Sequence, residues 1–73
     1  MGDFRITIVS LPDRENLVAE ISYKNKQVAE ISQETNELLI QIYSCKDKNH
    51  WEFSLEEFQK NIEKAKRRLL EVG

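Results

Sequence analysis

The chain reads as an α+β domain: a four-stranded antiparallel β-meander followed by one C-terminal amphipathic helix packed on one sheet face, in the order ββββα. Three observations predict this. Four segments within residues 4–44 alternate apolar and polar side chains with the two-residue period of a half-buried strand. Turn-forming residues separate them, at Pro12 and Asp13, at Lys24 to Lys26, and over residues 34–37. From Leu55 the period changes to the three- and four-residue steps of a helix and holds through Leu69.

The first strand, residues 4–10, places Phe4, Ile6 and Ile8 on one face. Pro12 lacks a backbone donor and Asp13 favours a turn, so the pattern stops there. The second strand, 17–23, lines up Leu17, Ala19, Ile21 and Tyr23. The third, 28–33, turns Ala29 and Ile31 inward. The fourth, 38–44, has Leu38, Ile40 and Ile42 on that face, with Leu39 and Tyr43 on the other.

The segment Val18-Ala19-Glu20-Ile21-Ser22 recurs as Val28-Ala29-Glu30-Ile31-Ser32. A solenoid needs a longer unit and more copies, so the repeat reads as two arms of one hairpin. A two-residue loop of Asn25 and Lys26 would set Ile21 opposite Glu30 and mix core with solvent residues. A three-residue loop of Lys24, Asn25 and Lys26 sets Ile21 opposite Ala29 and Ala19 opposite Ile31, and the buried face selects it. Glu20 then faces Glu30, which is unfavourable without a cation, and Arg5 is the expected source. A four-residue loop over 34–37 sets Ile31 opposite Ile40 and Ala29 opposite Ile42.

The helix carries its own punctuation. Ser54 and Glu57 have the spacing of a capping box, and Phe53 and Phe58 that of a hydrophobic staple. Leu55, Phe58, Ile62, Ala65 and Leu69 make one apolar stripe. Glu56 and Glu57 lie at the start; Lys64, Lys66, Arg67 and Arg68 lie near the end, as the helix dipole favours. Gly73 is the expected stop. Sheet and helix each have one apolar face, and two layers around one core satisfy both.

Length and charge restrict the function. Seventy-three residues make a single domain, 1–73, whose core rarely supplies more than ~3–5 kcal/mol. Either the core is well idealised or a partner covers further apolar surface, a second copy included. The 11 basic and 13 acidic residues leave a net charge of −2, too small a field to capture nucleic acid or an anionic membrane. A single cysteine makes no intrachain disulfide, which points to a reducing, cytoplasmic setting. The longest apolar run is Leu38, Leu39 and Ile40, far below the ~18 residues of a membrane span.

No constellation supports catalysis. Cys45 and His50 share one polar loop, but the only glycines are Gly2 and Gly73, so no glycine-rich turn builds an oxyanion or phosphate site. Cys45, Asp47 and His50 match no zinc spacing. Glu20 and Glu30 are paired acids without a cleft. No enzyme activity, cofactor or metal is expected.

Two binding readings are left. The second sheet face carries Val9, Val18, Val28, Leu39 and Tyr43, and Trp51 stands at the core edge, so these six are the candidate partner-binding residues. The edge strands, the first and the fourth, offer another route to a homodimer, and the fourth holds no charge. This is the leading reading: a non-catalytic protein-binding module, with small inhibitors and immunity proteins as the analogy its size and charge suggest. The alternative is a small nucleic-acid-binding regulator using Lys60, Lys64, Lys66, Arg67 and Arg68 at the basic helix end. Glutamates interleave those cations, which makes nucleic acid the weaker expectation.

The segments Leu17 to Ile21, Ala29 to Glu34, Trp51-Glu52-Phe53, and Glu57-Phe58 followed by Ala65-Lys66, taken in that order, resemble a group of small bacterial proteins of unassigned function. The likeness covers nearly the whole chain. It implies a natural bacterial or phage-type protein with a strand-rich N-terminus and a C-terminal helix, and it implies no activity.

Overall fold

The alternating segments become strands and the stripe becomes a helix. The computed structural model describes residues 3–72; Met1, Gly2 and the expected helix stop, Gly73, lie outside them. Strands β1 (Phe4–Val9), β2 (Val18–Tyr23), β3 (Lys26–Ser32) and β4 (Leu39–Ile42) form one antiparallel sheet in the order β1-β2-β3-β4, followed by α1 (Leu55–Val72). The predicted ββββα architecture is the observed one.

The register follows the buried face. Ile6 stands opposite Ile21 and Ile8 opposite Ala19. Ala19 stands opposite Ile31 and Ile21 opposite Ala29, while Ile31 faces Ile40 and Ala29 faces Ile42. The β2–β3 loop corrects the expectation. It has two residues, Lys24 and Asn25, both with positive φ, 51° and 69°. That is the turn whose twist matches a hairpin, and asparagine tolerates it well. Ser22 pairs with Gln27 and Ile21 with Ala29, so the extra residue sits in β3 as a bulge at Val28. The expected register is thus reached by a tight turn plus a bulge rather than by a longer loop.

The core is made by Ile6, Ala19, Ile21, Ile31, Ala65 and Leu69, with Phe4, Ile8, Leu17, Leu38 and Ile62 around it. The helix start behaves as its residues predict. Ser54 Oγ accepts the Glu57 amide at 3.2 Å, and the Phe53 and Phe58 rings stack 4.9 Å apart. Phe4 and Tyr23 join those rings, which fastens the helix entrance to β1 and β2. Two details differ from expectation. Leu55, placed in the stripe, is 70% exposed. The helix also runs to Val72, so its last turn holds no cation, and Arg67 and Arg68 lie upstream of it.

The two loops at the opposite end of the sheet are laced together. The Glu34 carboxylate accepts the amides of Glu15 and Asn16 at 3.0 and 2.9 Å, Asn16 Nδ2 donates to the Gln33 carbonyl, and Gln33 Nε2 donates to the Leu17 carbonyl. Those backbone donors hold the Glu34 carboxyl below its ordinary range.

The helix packs on β1 and β2, not centrally. A helix is about 10 Å across and strands are about 4.8 Å apart, so one helix roofs about two of four strands. On that face Ala29 and Ile31 of β3 are still buried, and only β4, at the far edge, has no roof. Burial along the helix sets the first prediction. Leu69→Ala, inside the core, should cost about 2–5 kcal/mol in denaturant unfolding. Leu70→Ala, more than half exposed, should stay within about 0.5 kcal/mol of wild type.

Candidate protein-binding surface

The sheet has two faces and two edges; the face away from the helix and both edges are the expected contacts. The face away from the helix is largely closed. Val18 and Val28, expected there as contact residues, are fully buried, so neither presents surface to a partner. Val9 and Trp51 are half-buried, while Leu39 and Tyr43 are exposed. The closure comes from polar groups that the alternation pattern does not reveal.

Their centre is Glu30, only 4% exposed in the middle of β3. Arg14 Nη2 donates to its Oε2 at 2.7 Å and to Gln41 Oε1 at 2.9 Å, and the Tyr43 hydroxyl donates to its Oε1 at 2.7 Å. Arg14 is the cation the paired acids require, in place of Arg5. Arg5 stands opposite Ser22, in the next row along the strands, whereas Glu20 and Glu30 lie in the row of Thr7 and Gln41. The turn that contains Pro12 closes with the Arg14 amide on the Leu11 carbonyl, 3.1 Å, and the Arg14 side chain crosses to Glu30. Arg14 Nε is buried there without an acceptor among the described residues.

Tyr43 is partly exposed, yet its hydroxyl reaches the buried Glu30 carboxylate. Burial, then the hydrogen bond to the Glu30 carboxylate, pushes its phenol up to about 12. The polar loop after β4 is tied back by Trp51, whose Nε1 donates to the Tyr43 carbonyl at 2.8 Å and whose ring meets Phe53. Lys26 pairs with Asp47 in the same region. Cys45 and His50 line one shallow hollow with Tyr23 and Trp51, and the His50 ring lies 3.7 Å from Glu52. Among the described residues no three metal-ligating side chains gather.

The helix side of β4 is different. Ile40 is 43% and Ile42 60% exposed, although both point to the core face. Ile31, Leu38, Leu39 and Ile40 meet Ile62 and Lys66 around a hollow of about 240 Å³. The lining of this hollow is apolar apart from Lys66. All four residues of β4 are exposed, and none is charged.

The ladder shows which backbone groups are free. The Tyr43 amide donates to the Val28 carbonyl at 2.8 Å, in the same register as the β3–β4 pairs. In an antiparallel pair bonding alternates along the strand, so Leu39, Gln41 and Tyr43 bond inward to β3. Ile40 and Ile42 therefore aim their amides and carbonyls outward, and none of these four groups has a partner among the described residues. The same alternation turns Ile6 outward on β1, but there Arg68 Nη1 donates to the Ile6 carbonyl at 3.3 Å. The helix thus takes one outward group of β1, whereas on β4 none is taken among the described residues.

No family model, curated protein or solved structure matches this chain, so its function is argued from this geometry. No helix among the described residues is long and apolar enough to cross a membrane.

Two measurements check the polar face. In a Tyr23→Phe variant the remaining tyrosine is Tyr43, and its ultraviolet titration should have a midpoint near 12; a midpoint at the ordinary value of 10.0 would break the Tyr43–Glu30 assignment. The sign follows: the fold favours the neutral phenol, so this contribution is present below pH 10 and fades towards 12. Arg14→Met strands a buried carboxylate and should cost about 3 kcal/mol or more, whereas Arg5→Met should change stability by less than about 0.5 kcal/mol.

Proposed function

We propose that this chain is a non-catalytic protein-binding module of the small inhibitor or immunity type, acting in the cytoplasm and taking its partner on β4. One observation carries the reading: an uncharged edge strand with four outward backbone groups also leaves its core-face side chains, Ile40 and Ile42, uncovered by the helix. Main-chain bonding along such an edge supplies affinity, and the side chains beside it supply specificity. Ile40 and Ile42 on one face, with Leu39 and Tyr43 on the other, are the contact residues.

The basic side of the helix supports nucleic-acid binding less well. Lys60, Lys64 and Arg67 share their flank with Glu56, Glu63 and Glu71, so the cations form no unbroken track along a phosphate backbone.

Affinity capture from cells separates the readings. Tagged wild type and Lys64→Glu should retain the same protein, and Ile42→Lys should lose it by at least tenfold. If the captured material is instead nucleic acid, released steeply by salt and lost with Lys64→Glu, the regulator reading takes precedence.

A further inference from the structure

We infer that the β4 edge binds a second copy of itself, forming a two-fold dimer with one continuous eight-stranded sheet. This rests on β4 being the binding edge and names what binds there.

The argument begins with the phase of the ladder. Ile40 and Ile42 hold the outward amides and carbonyls. A two-fold axis beside Gln41 sets Ile40 opposite Ile42 of the partner subunit and Ile42 opposite the partner's Ile40. Both become hydrogen-bonded pairs, so all four free groups are satisfied at once. No other element has to move, because each group meets its complement under the symmetry operation.

The side chains agree with that register. On the helix side, Ile40 and Ile42 meet the partner's Ile42 and Ile40, which extends an apolar floor already exposed in the single chain. On the other side Gln41 meets the partner's Gln41. Its Oε1 is taken by Arg14, and its Nε2 is a neutral donor facing the axis. Leu39 faces the partner's Tyr43. No charge meets a like charge along the seam, as every residue of β4 is uncharged. A foreign strand would have to match this arrangement; a second copy does so by symmetry.

The rest of the fold permits this pairing and limits it. The helix sits over β1 and β2, away from the seam. In a continuous sheet the two helices would stand about six strand spacings apart, roughly 29 Å, so they do not collide. The only other edge, β1, has its Ile6 carbonyl occupied by Arg68. A two-fold pairing uses the β4 edge of both copies on each other, so this contact closes at two copies.

Sedimentation equilibrium of the wild type from 5 to 500 μM should show a reversible monomer–dimer equilibrium. Ile42→Lys, exposed in the single chain, should keep the circular dichroism of wild type and weaken dimerisation at least tenfold. A cross-linking variant tests the register itself. In a Cys45→Ser background, Gln41→Cys lies in a non-hydrogen-bonded pair with its mate, close enough for a disulfide. It should cross-link readily on mild oxidation, whereas Leu39→Cys, which faces the partner's Tyr43, should cross-link at least tenfold more slowly. A single monomeric species throughout the range, or equal cross-linking of the two cysteine variants, overturns the dimer. If the monomer still captures a foreign protein through Ile42, the edge reading stands and only the second copy is rejected. If it captures none, both fall.

Discussion

A carboxylate set into the middle of the sheet governs much of what surrounds it. Glu30 lies on the third strand where Val28 to Ser32 are all buried, so both faces of that strand are covered. A buried charge is costly unless it is paired and hydrogen-bonded. Meeting that demand recruits three residues from two segments distant in sequence: Arg14 from the β1–β2 loop, Gln41 of β4 through Arg14, and Tyr43 just after β4. Tyr43 in turn accepts Trp51 on its carbonyl, and Trp51 leads to the aromatic cluster that fixes the helix entrance. The sheet face that a simple alternation would leave open is thus closed by polar chemistry. The apolar exposure is displaced to β4.

The architecture was legible because the local signals agree with each other. Alternation, turn residues, the Ser54 cap and the Phe53–Phe58 staple all favour the same element boundaries to within a residue or two. The register was legible for a similar reason, since a slip of one residue would turn Ile21 and Ile31 to the wrong face. The turn itself was not legible: a two-residue loop plus a bulge and a three-residue loop give the same pairing at Ile21. Nor was Arg14. It lies in a loop, and no periodicity says where a loop side chain will reach. Val18 and Val28 were misplaced as contact residues because burial of the second face depends on that loop and on Tyr43.

The lateral position of the helix was also hidden. The stripe Phe58, Ile62, Ala65 and Leu69 shows that the helix packs on the sheet, but not over which strands. That choice follows from Phe4 and Tyr23, which hold the entrance at the β1 side, and from Arg68 at the β1 edge. It leaves β4 beyond the reach of the helix, so the site depends on tertiary contacts that no single segment carries. The neutrality of β4, by contrast, is plain in its four residues, and it gains meaning only once the free backbone groups are assigned.

The repeated Val-Ala-Glu-Ile-Ser segment bears on how the chain folds. Its two copies pair about Glu20 and Glu30, and either copy is chemically able to pair with the same segment of another molecule. What separates the right pairing from the wrong one is time. The turn at Lys24 and Asn25 is two residues long, so the arms meet after closing a very short ring, and hairpins of this kind form in about 1–10 μs. Encounters between dilute chains are far slower. Arg14 then rewards the outcome by arriving over Glu30, a stabilisation that two third strands from different chains would lack. The degeneracy is tolerable because the two arms belong to one chain: adding a few flexible residues to the turn would cost closure little, whereas deleting Lys24 or Asn25 would strain it and favour exchange of strands between molecules.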